Sequence, residues 1–223
     1  IKTNINGAQS VITAAIKNGV KKVVALSTDK ACNPINLYGA TKLCAEKLFV
    51  NANQLSPVKG TLFSVVRYGN VIASRGSVIP FFKDLIKQGH KELPLTHEEM
   101  TRFFVTLDEA VSFVFNKTKN MKGGEIFIPK MSSIYIKDLI KILNSKTKIK
   151  IIGTRPGEKV HEILCSKDET RILYEHKDNY IIFPEHFIRK KRYGKKVKSN
   201  FLYASNSKNC LSPKKISKLI KNI

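Results

Sequence analysis

The apolar positions of this chain fall into alternating helix-like and strand-like blocks. Ile5, Ala8, Val11, Ile12, Ala15 and Ile16 recur at helical spacing over residues 3–18, and Asn18-Gly19 supplies a stop. Lys22-Val23-Val24-Ala25-Leu26-Ser27 follows as a nearly continuous apolar run, the pattern of a strand buried on both faces of a parallel sheet. A loop over 28–36 leads to a second helix over 37–53, with Thr41, Ala45, Leu48, Phe49 and Ala52 along one stripe. Leu62-Phe63-Ser64-Val65-Val66-Arg67 predicts the next buried strand. A loop over 68–77 and a helix over 78–88 come next, with Pro80 tolerated in the helix's first turn. Such alternation predicts an α/β fold with right-handed crossovers and a parallel sheet over residues 1–90.

Past residue 90 the elements shorten. Residues 93–95 read as extended, and Thr106-Leu107-Asp108-Glu109 has the spacing of a capping box opening a helix that ends near Lys117. A strand over 125–128, a helix over 136–144 and a strand over 149–152 follow, and Ser212-Pro213 starts a final helix. These elements predict a smaller mixed α/β lobe over 91–223, packed beside the sheet.

Composition narrows the class. Of 223 residues, 40 are Lys or Arg and 17 are Asp or Glu, a formal charge of +23, and 42% are hydrophobic. That apolar share can build a core and argues against a disordered chain. No stretch approaches the roughly 18 apolar residues of a membrane span, and no signal peptide opens the sequence. The basic residues are spread along the chain, so neither nucleic acid nor a membrane is the expected partner. The one dense run, 188–198, reads either as a solvated loop or as a patch for RNA or a membrane surface. Cys32, Cys44, Cys165 and Cys210 are far apart and form no C-x-x-C pair, which points to free thiols in a reducing cytoplasm rather than zinc or disulfides.

The candidate chemistry begins at Ser27-Thr28-Asp29-Lys30, just past the carboxyl end of a predicted strand, where open α/β sheets bind ligands. Tyr38 and Lys42 then form a Y-x-x-x-K pair at the start of a helix, where positions i and i+4 share a face. A cation beside a phenol favours phenolate, making the tyrosine a usable proton-transfer group, and the same lysine can hydrogen-bond a ribose. Taken alone, Y-x-x-x-K also fits a core tyrosine with an exposed lysine. Thr-Asp-Lys at a strand end together with Y-x-x-x-K is far more specific.

At these residues the chain resembles the extended short-chain dehydrogenase/reductases that modify nucleotide sugars. Within them it is most similar to the inverting UDP-N-acetylglucosamine 4,6-dehydratases that begin pseudaminic acid synthesis. The resemblance runs through residues 25–42, Val66-Arg67-Tyr68-Gly69-Asn70-Val71, 74–80, Met100-Thr101-Arg102-Phe103, 123–127 and 155–162, and is weakest over 170–210. It implies a Rossmann-like doubly wound parallel sheet with a substrate lobe, NADP as cofactor and UDP-N-acetylglucosamine as substrate.

The resemblance also implies roles. NADP takes hydride from C4 of the sugar, water leaves across C5 and C6, and hydride returns to C6. Tyr38 would be the base at the C4 hydroxyl, Lys42 would lower its pKa and hold the nicotinamide ribose, and Thr28 would hydrogen-bond the C4 oxygen. Lys30 would be the base at C5 and Asp29 the acid at the C6 hydroxyl. A lysine acts as base only when neutral, so a depressed pKa from burial or a neighbouring cation is expected at Lys30. Leu26, Ser27 and Val71 would line the cofactor. Asn70 would contact the UDP-sugar, and Arg75, Gly76, Ser77, Val78, Ile79 and Pro80 would wrap its diphosphate and uridine. Arg102 and Arg155 suit a doubly charged diphosphate, because a guanidinium offers paired donors.

Lys30 discriminates among subfamilies. Glucose 4,6-dehydratases carry Glu there, 4-epimerases lack the Asp-Lys pair, and the retaining, membrane-anchored relatives typically lack the tyrosine that stands here as Tyr38. His161-Glu162, on an expected short helix, lacks the spacing of a metal site, so His161 reads as structural and no metal is expected. The family's N-terminal G-x-x-G-x-x-G turn has no counterpart in the sequence. Residue 1 falls where the family has its fourth crossover helix, so roughly 100 residues of a Rossmann domain precede it by the family pattern. The expectation is a fragment that neither binds NADP tightly nor turns over alone, and whose first strand is an open sheet edge. Relatives assemble through the helices corresponding to 3–18 and 37–53, which implies a homo-oligomer.

Overall fold

The computed structural model describes residues 1–55, 60–72, 74, 76–184, 192–208 and 213–221. The first half of the chain runs α1 (Gly7–Lys17), β1 (Lys22–Thr28), α2 (Leu37–Asn51), β2 (Leu62–Tyr68), β3 (Asn70–Val71), α3 (Val78–Lys87), β4 (Glu92–Leu95) and β5 (Thr101–Val105). The second half runs α4 (Leu107–Asn120), β6 (Ile126–Pro129), β7 (Ser132–Tyr135), α5 (Ile136–Leu143), β8 (Lys148–Ile151) and β9 (Ile163–Cys165). Strands β10 (Leu173–Glu175), β11 (Asn179–Ile182), β12 (Lys195–Lys196) and β13 (Tyr203–Ala204) and helix α6 (Pro213–Lys221) complete it.

The chain divides into two compact units. The first comprises residues 1–68, 111–130 and 163–203. Its sheet has the order β1-β2-β6-β11-β10-β12, with β1, β2 and β6 parallel and β11, β10 and β12 antiparallel. The parallel part, joined through helices, is the expected Rossmann-like α/β arrangement. The antiparallel extension differs from an all-parallel sheet, because a short turn over 176–178 reverses the chain between β10 and β11 without a helix. Central β2 is buried from Phe63 to Arg67, whereas in β1 only Ser27 is buried. β1 is therefore less covered than the expected strand buried on both faces, and among the described residues it pairs with β2 alone, at the edge of the sheet. Val66, Met121, Phe127, Ile181 and Phe183 form part of this unit's core.

The second unit comprises residues 69–110, 131–162 and 204–223. It holds a three-stranded sheet, β3-β5-β7, and the parallel pair β4-β8. Ile79 and Phe82 of α3, Leu93 and Leu95 of β4, and Leu139 and Ile140 of α5 share its core. A linear break at residue 90 does not describe this arrangement: β6 lies beside β2 in the first unit's sheet, and the chain returns there again at Ile163. At residues 155–162, where a short helix was expected, the chain forms a turn at Pro156-Gly157 followed by irregular structure. Proline removes an amide donor and Gly157 takes φ +73°, so the helical ladder cannot form. In the basic run, residues 188–191 lie outside the described residues, and Lys195-Lys196 form the edge strand β12.

Candidate active site

Strand β1 ends at Thr28, whose Cα pairs in register with Tyr68 of β2, and the chain then tightens into a 3-10 turn over Asp29–Ala31. The turn concentrates three polar groups. Asp29 is fully buried; its Oδ1 accepts hydrogen bonds from Thr28 Oγ1 at 2.9 Å and Lys30 Nζ at 3.0 Å. Asp29 Oδ2 and Ser27 Oγ are buried without a hydrogen-bond partner, an unusual condition for polar atoms away from water. Lys30 keeps about a third of its side chain exposed (34%), and its neighbour at 3.0 Å is the Asp29 carboxylate, so neither deep burial nor an adjacent cation, the two expected means of keeping it neutral, is what this contact supplies.

Helix α2 brings the second pair. Asn36 caps it, accepting from Gly39 N at 2.8 Å. A Cβ on Gly39 would collide with the Lys30 carbonyl oxygen, so the glycine is what lets the first turn of α2 pack against the Asp29–Ala31 turn. Tyr38, in that same first turn, is half exposed (51%). Lys42, one turn on, donates to the Leu26 carbonyl at 2.9 Å, which fixes its ammonium at the end of β1. Burial pushes the Lys42 pKa below its ordinary value, and the Glu46 carboxylate opposes that shift. Leu26, Ser27 and Lys42 share the wall of a cavity of about 300 Å³. Sequence reasoning missed Tyr68, whose pKa is raised by burial and by the proximity of Tyr38. Its place at the carboxyl end of a strand was the available signal.

The second unit carries its own cavity, of about 510 Å³, lined by Asn70, Gly76, Ser77, Val78, Pro80, Arg102 and Arg155 among others. Seven of the residues expected at the nucleotide sugar therefore converge on one hollow. Ile79 does not: it is 2% exposed and belongs to the core, because α3 turns it away from the wall that Val78 and Pro80 form. Val71 sits in β3 opposite Val105 and lines neither cavity, and Arg75 lies outside the described residues. Arg102 is nine-tenths buried and oriented by the carbonyls of Thr101 and Val160, at 2.7 and 3.0 Å, and by Glu158 at 3.5 Å. Arg155 is exposed, and its backbone N–H donates to Glu158 Oε2 at 3.2 Å. Glu158, unpredicted, thus sits at both arginines.

Behind Arg102, Thr101 Oγ1 lies 2.8 Å from His161 Nδ1 and 2.6 Å from Ser205 Oγ. Burial and the Arg102 charge lower the His161 pKa, which favours the neutral ring. Among the described residues no three His, Cys, Asp or Glu side chains are grouped to hold a metal, and no helix is long and apolar enough to cross a membrane.

Residues 1–184 match the family described as polysaccharide biosynthesis protein. The chain belongs to that family. It is 53% identical over 217 residues to the UDP-N-acetylglucosamine 4,6-dehydratase (inverting) of Campylobacter jejuni serotype O:2, covering 93% of this chain and 65% of that protein. It is also 47% identical over 173 residues to the UDP-glucose 4-epimerase of Rickettsia canadensis, covering 76% of this chain and 50% of the relative. Among solved structures it is similar to Pen from Bacillus thuringiensis, with a TM-score of 0.88 and 40% identity over 98% of this chain and 67% of that one. The chain thus spans about 65% of the length of the dehydratase it matches.

Proposed function

We propose that this chain carries the catalytic residues of a C5-inverting UDP-N-acetylglucosamine 4,6-dehydratase that uses NADP, works in the cytoplasm and feeds surface-glycan synthesis of the pseudaminic acid type. The observation that carries the reading is the packing of the Tyr38 helix turn onto the Asp29-Lys30 turn at the end of β1. The first unit carries the proton-transfer groups, and the cavity of the second suits a diphosphate.

The residues present fit the nicotinamide–ribose half of the cofactor. Lys42 Nζ stands at the end of β1, and Ser27 Oγ is a buried hydroxyl in want of a partner. NADP held by Ser27 and Lys42 would supply a hydride acceptor for C4 of the sugar and a hydride donor for C6. Tyr38 takes the proton of the C4 hydroxyl, with the Lys42 ammonium favouring the phenolate. Thr28, in hydrogen-bond contact with Asp29, offers its hydroxyl to the C4 oxygen.

The elimination falls to Asp29 and Lys30. Their 3.0 Å contact lets a proton pass from Lys30 Nζ to Asp29 Oδ1. That transfer leaves a neutral amine to accept the C5 proton and a neutral acid to protonate the departing C6 hydroxyl. In the second unit, Arg102 presents a buried, pre-oriented guanidinium to the diphosphate, and Arg155 adds a second cation at the cavity wall.

A second reading, a UDP-sugar 4-epimerase, is favoured by the Rickettsia relatives at 45–47% identity. An epimerase has no use for a base at C5. Lys30→Ala in the full-length protein separates the two: the dehydratase loses water elimination while NADP-dependent oxidation at C4 survives, whereas an epimerase turns over unchanged.

A further inference from the structure

We infer that Glu46 is a positioning residue for the Tyr38–Lys42 pair, holding Lys42 protonated and its helix fixed on the sheet. The inference rests on the assignment of that pair to proton transfer at C4. Glu46 lies one helical turn past Lys42 on α2 and is 1% exposed. Its carboxylate grips the fully buried Arg67 of β2 in a fork, Nε to Oε1 at 3.0 Å and Nη2 to Oε2 at 2.7 Å. The remaining edge of the guanidinium donates to the Leu164 carbonyl at 3.0 Å and to both oxygens of Glu169 at 2.9 and 3.1 Å.

The charge count gives this cluster its second purpose. Two carboxylates on one guanidinium leave an excess negative charge in a buried place, which is costly unless a second cation stands by. Lys42 is that cation: it shares a cavity wall with Glu46, and Glu46 is the charge that counteracts the desolvation of its ammonium. The other elements at that wall bring Ser27 from β1 and Thr3 and Asn4 from the turn before α1, none of which titrates in this range. Arg67 alone faces Glu46 from β2, with Glu169 and the Cys32 thiol beyond it. Removing the Glu46 charge therefore releases the Lys42 proton at lower pH, and a neutral amine cannot stabilise the Tyr38 phenolate.

The test is competitive acetylation of Lys42, read by mass spectrometry across its titration in the full-length protein. Glu46→Gln should move the Lys42 midpoint down by about one pH unit, equivalent to ~10-fold more reactive amine below it. Glu169→Gln, which also removes a carboxylate from Arg67 but sits off α2, should leave the midpoint in place. In parallel, the alkaline limb of kcat/KM should move to lower pH in Glu46→Gln with KM little changed, because the Lys42 ammonium is lost earlier, a shift that loss of packing would not produce. If Glu46→Gln unfolds, Glu46→Gln/Arg67→Met/Glu169→Gln removes the whole cluster without an unpaired buried charge and gives the same reading. An unmoved Lys42 midpoint in the folded variant overturns the inference. A shifted midpoint in a protein that shows no sugar-nucleotide turnover would overturn the dehydratase assignment and leave the Glu46–Lys42 coupling standing.

Discussion

Thr28, Asp29 and Lys30 are consecutive, and Tyr38 and Lys42 follow within one helical turn of each other, so the polar half of this site is written in a single stretch of sequence. Local chemistry of that kind is legible from the order of residues alone. The Glu46–Arg67–Glu169 cluster is not, because its members are separated by 21 and 102 residues and only the packing of β2 between α2 and the 163–172 segment joins them. Two outcomes belong at this scale. Tyr38→Phe should cost about 10²- to 10⁴-fold in kcat, the usual value of one positioned proton-transfer group, with an unchanged urea midpoint because Tyr38 is half exposed. Glu169 is a linkage case: Arg67 and the Ser166 amide hold its pKa below 4.5 against the opposing effect of burial. Its contribution to stability is therefore complete above the ordinary carboxylate range and is lost as pH falls through the folded value. The urea midpoint of Glu169→Gln should lie below that of the natural protein at neutral pH, and the gap should narrow as the pH falls below the ordinary carboxylate range.

Elements with a clear period, such as α1, α2, α3 and α5, and the apolar run of β2 were readable within a few residues. Strands β5 and β7 were not read as strands. Thr101, Arg102 and Ser133 interrupt their apolar pattern, and the first two are buried with carbonyls and hydroxyls of the second unit as partners. The capping box at the start of α4 was legible and is made as written: Glu109 N donates to Thr106 Oγ1 at 3.2 Å, and Thr106 N donates to Glu109 Oε2 at 2.9 Å. Thr106→Ala should cost about 1 kcal/mol in urea denaturation. Gly39→Ala should act differently. Its Cβ would meet a backbone oxygen, so the first turn of α2 must move off the Asp29–Ala31 turn. We expect kcat to fall by more than ~10-fold with KM for the UDP-sugar little changed, since a small displacement of reacting groups costs rate first. Equal rates in natural and Gly39→Ala protein would show that this packing does not set the geometry.

At the scale of the whole molecule, sequence order concealed the organisation. The chain leaves the first unit at Gly69, returns at Val111, leaves again at Met131 and returns at Ile163, because β6 completes the parallel part of the sheet and β10 and β11 extend it. No local pattern states which sheet a four-residue strand joins. The second unit is legible mainly through Asn70, Gly76, Ser77, Val78, Pro80, Arg102 and Arg155, which converge on one cavity although they come from β3, the start of α3, β5 and the loop after β8. In the proposed reaction Asp29 and Lys30 eliminate water across C5 and C6 of a UDP-sugar through a C5 proton transfer. The decisive experiment identifies the product formed by the full-length protein from UDP-N-acetylglucosamine and NADP in heavy water. A 4-keto-6-deoxy sugar carrying deuterium at C5 with inverted configuration is the predicted result. A UDP-sugar epimerised at C4, with water retained and no deuterium at C5, would contradict it.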